Sequence, residues 1–167
     1  SSIPIKETAT VKPINPYGNT KAAIEKMLSD NYKNSNNQWK IACLRYFNPV
    51  GSHCSGLLGE DSKGKTTNLF PAIIQTIKGN KEKLLVFGKD WPTPDGTCIR
   101  DFIHVMDLAE AHIATLEYLK SNKPQNISIN IGTGKGTSVI EAIETFQKIK
   151  DIDFEYEFVK RRLGDQS

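Results

Sequence analysis

The chain has 167 residues, of which 22 are Lys or Arg and 19 are Asp or Glu, and its formal net charge is +3. A composition of 38% hydrophobic and 25% charged residues is typical of a folded globular protein and excludes a wholly disordered chain. The charge is small and interspersed, and no apolar run approaches the roughly 20 residues of a membrane span. We therefore expect neither a nucleic-acid nor a membrane partner.

The first 50 residues contain a helix pattern followed by a strand pattern. Apolar residues at three- and four-residue spacing predict a helix over residues 17–32, with a stripe formed by Ala23, Ile24, Met27 and Leu28. Residues 41–47 form an apolar run that is closed by Asn48 and Pro49, and they predict a buried strand. A helix followed by a buried strand is typical of an α/β protein with a parallel sheet.

After a long loop, the rest of the chain alternates between helix and strand patterns. Four glycines mark residues 51–66 as this loop, and loops of such length are commonly functional. The patterns that follow predict helices over 68–77, 107–119 and 138–148, and strands over 84–87, 127–131 and 154–159. Within the 107–119 helix, one face is expected to carry Ala109, Ile113 and Leu116.

Tyr17 and Lys21 lie four residues apart, so they project from one face of the first predicted helix. A tyrosine has a pKa of about 10 and is a poor base at neutral pH. A cation about 4 Å away contributes a few kcal/mol at an effective dielectric of about 20, which is enough to lower the pKa of a phenol. The pair therefore predicts a proton-transfer site, with an ordinary surface Tyr and Lys as the alternative.

Four motifs in order carry a family resemblance. They are PYGNTK at 16–21, LRYFNPVG at 44–51, Phe87-Gly88 with DGTCIRDFIHVMDLA at 95–109, and RRLGD at 161–165. With these motifs, the chain resembles the UDP-glucose 4-epimerases of the extended short-chain dehydrogenase/reductase superfamily over essentially its whole length.

The resemblance implies an enzyme that uses NAD to interconvert UDP-glucose and UDP-galactose. A hydride leaves C4 of the UDP-hexose, the 4-keto sugar turns over in the site, and the hydride returns to its other face. Tyr17 would remove the proton of the 4-hydroxyl group, and Lys21 would lower the pKa of that tyrosine and hold the nicotinamide ribose. The alternatives are another nucleotide-sugar epimerase or a dehydratase of the superfamily, and a non-catalytic remnant that binds sugar nucleotides.

The resemblance also assigns ligand contacts near the first strand and near two arginines. Phe47 matches a residue lining the nicotinamide pocket, with a core aromatic at a strand end as the alternative, and Asn48 matches one that hydrogen-bonds the sugar nucleotide. Arg100 and Arg162 match the family's diphosphate-binding arginines. A guanidinium group suits bidentate contacts with phosphate. The alternatives are an ion pair with Asp101 for Arg100 and a solvated basic patch for Arg162.

Further contacts with UDP are implied at a helix start, on a strand and at a carboxylate. Free N–H groups at a helix start favour an anion, the strand would lie beside the uracil, and the carboxylate would accept a hydrogen bond from the uridine. The helix start corresponds to Asn68 and Leu69, the strand to Leu85, Val86 and Phe87, and the carboxylate to Asp165.

The resemblance implies two lobes. Residues 1–50 would be the C-terminal part of a Rossmann-type NAD-binding domain, and 51–167 mainly a UDP-sugar-binding lobe, with 127–148 packing back on the Rossmann sheet. The expected fold class is therefore α/β, the tail of a Rossmann-type parallel sheet plus a smaller mixed substrate-binding lobe. The family's glycine-rich fingerprint and catalytic Ser or Thr would precede Ser1, so we expect a fragment that is inactive alone.

Partners and location are predicted on separate grounds. The resemblance implies a homodimer through the 17–32 helix. Three cysteines, odd in number and far apart, favour a reducing cytoplasm over a disulfide framework. His53 and Cys54 form one adjacent pair with the other histidines far away, so no metal site is expected.

The glycine-rich segment 132–137 resembles a phosphate cradle without matching one. It is not a complete GxGxxG pattern, because Thr137 occupies the last glycine position. We predict a strand-to-helix turn instead, with Ser138 and Glu141 as a capping box.

Overall fold

A computed structural model describes residues 3–60 and 68–162 of the protein. Within these ranges, helices and strands alternate along the chain. In order they are α1 Pro16–Asn34, β1 Lys40–Tyr46, β2 Asn48–Val50, α2 Leu69–Ile77, β3 Leu84–Phe87, β4 Ile99–Arg100, β5 Phe102–His104, α3 Val105–Ser121, β6 Gln125–Ile131, β7 Thr137–Ser138, α4 Val139–Lys150 and β8 Tyr156–Val159. The longer helices and strands that the sequence predicts are all present, and the α/β class is confirmed.

The chain divides into two compact units, each built from two chain segments. Unit 1 joins the chain up to Pro49 with Ile103–Lys135, and unit 2 joins Val50–Phe102 with the chain from Gly136 onward. The sequence predicts a cofactor-binding lobe at 1–50 and mainly a substrate-binding lobe at 51–167. These two functions stay a prediction, because the two units describe which segments pack together and not what they bind.

Unit 1 is built on a parallel strand pair and a helix that runs antiparallel to it. β1 and β6 pair in register from Lys40 beside Gln125 to Tyr46 beside Ile131. α1 begins at Pro16 because the Asn15 side chain caps it, accepting from the Gly18 N–H at 2.7 Å. Near the other end of α1, the Tyr32 hydroxyl donates to the carbonyl of Pro124, immediately before β6. The start of α1 therefore lies towards the carboxyl ends of β1 and β6.

The predicted apolar stripes of α1 and α3 do not form buried faces in unit 1. Ile24 and Met27 of α1 are 48% and 64% exposed, and Ile113 and Leu116 of α3 are 61% and 53% exposed. The residue of α3 that is buried is instead Leu108. None of the helices in the described part of the chain is both long and apolar enough to span a membrane.

Unit 2 has a small apolar core between a parallel strand pair and two helices. β3 and β8 pair in register from Leu84 beside Tyr156 to Phe87 beside Val159. The fully buried side chains of this core come from α2, β3 and α4, and they are Ile73, Leu84, Val86 and Ile143.

A short antiparallel pair, β4 with β7, lies directly before α4 in unit 2. The capping box predicted at the start of α4 is confirmed. The Ser138 side chain accepts from the Glu141 N–H, and the Glu141 side chain accepts from the Ser138 N–H. Two of the four orphan N–H groups of the helix are thereby satisfied.

Candidate functional site

The start of α1 brings together the two side chains predicted for proton transfer. The Lys21 ammonium nitrogen lies 5.2 Å from the centre of the Tyr17 ring, within the range of a cation–π contact. Tyr17 is 70% exposed, so its hydroxyl group is open to a bound molecule. The described residues thus place an accessible phenol beside a cation on adjoining helical turns.

The carboxyl end of β1 carries the next two predicted site residues. The Phe47 N–H donates to the Ile131 carbonyl at 3.0 Å, so the half-buried Phe47 continues the line of β1 beside the end of β6. Asn48 follows and is exposed. Because α1 runs antiparallel to these strands, its first turns lie towards the same end of unit 1. Ligands of parallel α/β sheets bind at this end of the strands.

A half-buried ion pair joins the middle of α1 to β1, and the sequence analysis missed it. Arg45 donates from two nitrogens to the two carboxylate oxygens of Glu25, at 2.8 and 2.6 Å. These hydrogen bonds lower the pKa of Glu25 and raise that of Arg45. The available signal was a charged residue inside the apolar run 41–47, because a charge in a half-buried strand requires a partner.

In unit 2, the carboxyl ends of β3 and β8 bring Phe87 and Arg162 together. The Arg162 guanidinium carbon lies 4.5 Å from the centre of the Phe87 ring. An aromatic face beside a guanidinium group is a suitable surface for a base and a phosphate. Of the neighbouring predicted residues, Leu85 is exposed, whereas Val86 packs in the core of unit 2.

A second arginine stack supports this end of β8. Arg161 lies over the Trp91 ring at 3.9 Å, and its Nε donates to the Asp90 carboxylate at 2.7 Å. Gly88 lies beneath the stack with a φ of +85°. A Cβ atom there would meet the Trp91 indole nitrogen and would lie 2.9 Å from Cγ of Arg161, so only glycine fits.

The structure places the remaining predicted residues at separate points. Arg100 lies in β4, half-buried, and donates to the carbonyl of Ile99 at 2.9 Å. Asn68 is the N-cap of α2 and donates from its side chain to Glu60 at 3.2 Å, and Leu69 begins that helix. Asp165 lies outside the described residues.

A carboxylate hub lies between the turn at 91–98 and the start of α4. Asp95 accepts hydrogen bonds from the backbone and hydroxyl of Thr97, at 2.8 and 2.7 Å, and from the Ser138 hydroxyl. Burial opposes ionisation, but the hydrogen bonds from Ser138 and Thr97 outweigh it and lower the pKa of Asp95. The hub fixes β4, which carries Arg100, beside β7, and the sequence analysis missed it.

No group of three or more His, Cys, Asp or Glu side chains within 3–60 and 68–162 is arranged to hold a metal ion. The side chains of Tyr17, Lys21 and Phe47 lie towards the carboxyl ends of β1 and β6 in unit 1. They could hold an organic cofactor.

Comparisons with known proteins place these geometries in context. The profile described as NAD dependent epimerase/dehydratase family matches residues 1–132. The bifunctional protein gal10 of Schizosaccharomyces pombe is 52% identical over 166 residues, which are 98% of this chain and 23% of that protein. The UDP-glucose 4-epimerase of Bacillus subtilis is 45% identical over 162 residues, which are 97% of this chain and 47% of that protein.

A solved structure shows the same similarity in three dimensions. The UDP-glucose 4-epimerase of Bifidobacterium longum, in complex with NAD+ and UDP, matches with a TM-score of 0.91 at 42% identity. The match covers 98% of this chain and 48% of that one. The chain thus spans about half the length of the epimerases that it matches here, and less of gal10.

Proposed function

Because the chain belongs to the NAD dependent epimerase/dehydratase family, we propose that it serves in the interconversion of UDP-glucose and UDP-galactose, as part of a UDP-glucose 4-epimerase that uses NAD. The observation that carries the proposal is the similarity to UDP-glucose 4-epimerases over nearly the whole chain. The positions of Tyr17 and Lys21 support it, because they supply an accessible acid–base group beside a cation.

The residues near the carboxyl ends of β1 and β6 in unit 1 fit a bound nicotinamide nucleotide. An exposed phenol, an ammonium group beside it and the half-buried Phe47 offer hydrogen bonds and an aromatic wall. When bound, NAD supplies a hydride acceptor and donor at C4 of the sugar. Tyr17 takes the proton from the 4-hydroxyl group and later returns it, and Lys21 holds the nicotinamide ribose.

The residues of unit 2 fit a uridine diphosphate. Arg162 lies over the Phe87 ring, so a cation and an aromatic face are available side by side. Arg100 adds a second guanidinium group on β4, and the N-terminus of α2 at Asn68 and Leu69 is the positive end of the helix dipole, which favours an anion. These groups bind and orient the nucleotide, which leaves the sugar to react.

We propose that the whole enzyme is a cytoplasmic homodimer whose subunits meet through α1. Ile24 and Met27 support this contact, because both are apolar and about half exposed or more. Sedimentation of the intact enzyme with Met27→Lys tests the contact, since a buried charge at the interface would shift a dimer towards monomers.

The test of the proposed reaction is an epimerase assay on a chimera. These 167 residues replace the matching half of the Bacillus subtilis UDP-glucose 4-epimerase, and conversion of UDP-galactose to UDP-glucose is followed with a coupled dehydrogenase. We expect turnover, and we expect Tyr17→Phe to lower it by at least about 100-fold. A folded chimera that binds NAD and UDP without turnover would contradict the proposal.

The same chimera separates the two other functions that the family allows. Faster turnover of UDP-N-acetylgalactosamine than of UDP-galactose would indicate another nucleotide-sugar epimerase. Loss of water from the sugar would indicate a dehydratase.

A further inference from the structure

The segment that carries Arg162 follows the last paired residues of β8. β3 and β8 pair as far as Phe87 beside Val159, and the Gly88 N–H then donates to the Val159 carbonyl at 2.8 Å. Arg162 lies beyond this ladder, and its guanidinium group still lies over the Phe87 ring. Because these two residues come from distant parts of the sequence, their contact depends on the path that the chain takes after β8.

Arg161 joins this segment to the turn that follows β3. Its Nε donates to the Asp90 carboxylate at 2.7 Å, a second nitrogen donates to the Asp90 carbonyl, and its guanidinium carbon lies 3.9 Å from the centre of the Trp91 ring. We call these contacts the Arg161 clamp. A planar guanidinium group that donates twice and stacks at the same time is closely restricted in position. The clamp therefore restricts the backbone at residue 161, one peptide before Arg162.

The turn side of the clamp is attached to the strand end that carries Phe87. The Trp91 indole N–H donates to the Phe87 carbonyl at 3.3 Å. The Arg161 side chain also packs closely on Gly88, where a Cβ atom would lie 2.9 Å from its Cγ. The aromatic rings under Arg161 and Arg162 thus belong to one short segment, and the two consecutive arginines are each stacked on it.

A third contact between a cation and an aromatic ring in unit 2 provides a comparison. The Lys89 ammonium nitrogen lies 4.7 Å from the centre of the Phe158 ring. Phe158 pairs with Val86 inside the ladder, so backbone pairing holds it whether or not Lys89 is present. Replacing Lys89 therefore removes the same kind of contact without releasing the chain after β8.

We infer that Arg161 is a positioning residue for nucleotide binding, which through Asp90 and Trp91 holds the chain after β8 so that the Arg162 guanidinium group stays over the Phe87 ring. That Arg162 binds a nucleoside diphosphate rests on the function proposed above, whereas the clamp itself does not. Arg161 directs its guanidinium group to the turn, so it acts on the nucleotide through Arg162.

Titration calorimetry with UDP on the chimera tests the inference by a double-mutant cycle. Arg161→Ala is measured in the parent chimera and in the Arg162→Ala background. The loss of affinity in the parent should exceed the loss in that background by at least about threefold. A smaller difference would overturn the inference, because a direct phosphate contact or a general loss of structure weakens binding in both backgrounds alike. Lys89→Ala is the matched control and should have the same effect in both.

Asp90→Ala separates positioning from simple electrostatics by the sign of its effect. Removing a carboxylate strengthens the binding of a nearby diphosphate if only charge matters, whereas loss of the clamp weakens it. We expect weaker UDP binding, and unchanged or tighter binding would overturn the inference. Arg161→Lys keeps the charge but loses the planar fork, and it replaces Arg161→Ala in the cycle if that variant does not fold.

Crystal structures of the chimera without UDP distinguish this inference from the proposed function. In Arg161→Ala, the Arg162 guanidinium group should lie more than about 6 Å from the centre of the Phe87 ring, beyond the range of a cation–π contact. In Lys89→Ala it should stay within that distance. Arg162 still over Phe87 in Arg161→Ala would overturn the inference. A parent chimera that binds no UDP would count against the proposed function alone, since the structures show the clamp without a ligand.

Discussion

Tyr17 and Lys21 lie on adjoining turns at the start of α1, with the ammonium group over the phenol ring. Both side chains are exposed, so their proximity does not result from packing in a core. The four-residue spacing on one helix is sufficient to produce it.

Tyr17→Phe should lower kcat of the chimera by about 10²–10⁴-fold, the range for a positioned acid–base group. UDP affinity should stay within a few fold, because the hydroxyl group is assigned to proton transfer and not to binding. Tyr118→Phe, which removes the hydroxyl group of a half-exposed tyrosine on α3, is the control and should retain activity. Nearly intact turnover in Tyr17→Phe would show that another group moves the proton.

Arg162→Ala and Arg100→Ala should each weaken UDP binding by about 1.5–3 kcal/mol, the range for hydrogen bonds to charged groups. Titration calorimetry with UDP measures this without any turnover. Lys160→Ala removes an exposed neighbouring cation and serves as the control for a general loss of positive charge. Equal losses in all three variants would favour a solvated basic patch over specific phosphate contacts.

Among the elements, the turn after β3 depends on a glycine for two separate reasons. Gly88 has a φ of +85°, and a Cβ atom would also disturb Trp91, whose indole N–H donates to the Phe87 carbonyl at 3.3 Å. Gly79 has a similar φ of +74°, but a Cβ there meets no described atom within 4 Å. Alanine substitutions at the two positions therefore separate the energetic cost of backbone strain from that of overpacking.

Gly79→Ala should cost about 1–2 kcal/mol of unfolding free energy, the cost of a left-handed conformation for an L-residue. Gly88→Ala should cost about 1–3 kcal/mol more, the range for overpacking, and should weaken UDP binding because the strand end moves. Urea unfolding followed by tryptophan fluorescence measures both losses. Equal costs for the two variants would show that the Arg161–Trp91 stack yields to a methyl group without loss.

The ion pair between Glu25 of α1 and Arg45 of β1 should weaken in acid. Hydrogen bonds from Arg45 hold the pKa of Glu25 below its ordinary value of 4.5. A lowered pKa in the folded state stabilises the protein above the unfolded value, and this stabilisation is lost as the pH falls through the folded value. The difference in unfolding free energy between wild type and Glu25→Gln should therefore shrink below about pH 4.5.

Urea unfolding at a series of pH values from 7 downward measures this difference. Asp30→Asn, on the same helix, removes only an exposed pair and should follow the wild-type profile. A wild-type advantage over Glu25→Gln that stays constant into acid would show that the ion pair does not contribute through the Glu25 charge.

For the whole molecule, periodicity predicted the long elements and their order, because a helix or strand of many residues repeats its pattern. Strands of two or three residues, such as β4 and β7, carry no such repeat and are defined by their partners. Burial was less predictable. The stripe containing Ile24 and Met27 has helical spacing, yet both side chains are exposed. Periodicity shows that a helix has an apolar face but not what covers it.

In the candidate site, too, contacts between nearby residues could be predicted and contacts between distant residues could not. Tyr17 and Lys21 could be predicted to meet because they lie on one helix, and local spacing decides it. The contacts of Arg45 with Glu25, and of Arg162 with Phe87, join residues 20 or more positions apart. Such contacts depend on how strands and helices pack, which single-sequence patterns do not encode.

The fate of the hydrogen at C4 tests the proposed reaction most directly. The chimera is given UDP-galactose that carries deuterium at C4, and the UDP-glucose formed is analysed by NMR and mass spectrometry. If the hydride leaves C4 and returns to the other face of the same carbon, the product has inverted configuration and retains the deuterium. Product formed with the deuterium exchanged for solvent hydrogen would contradict the account, because it would mean that C4 loses a proton and not a hydride.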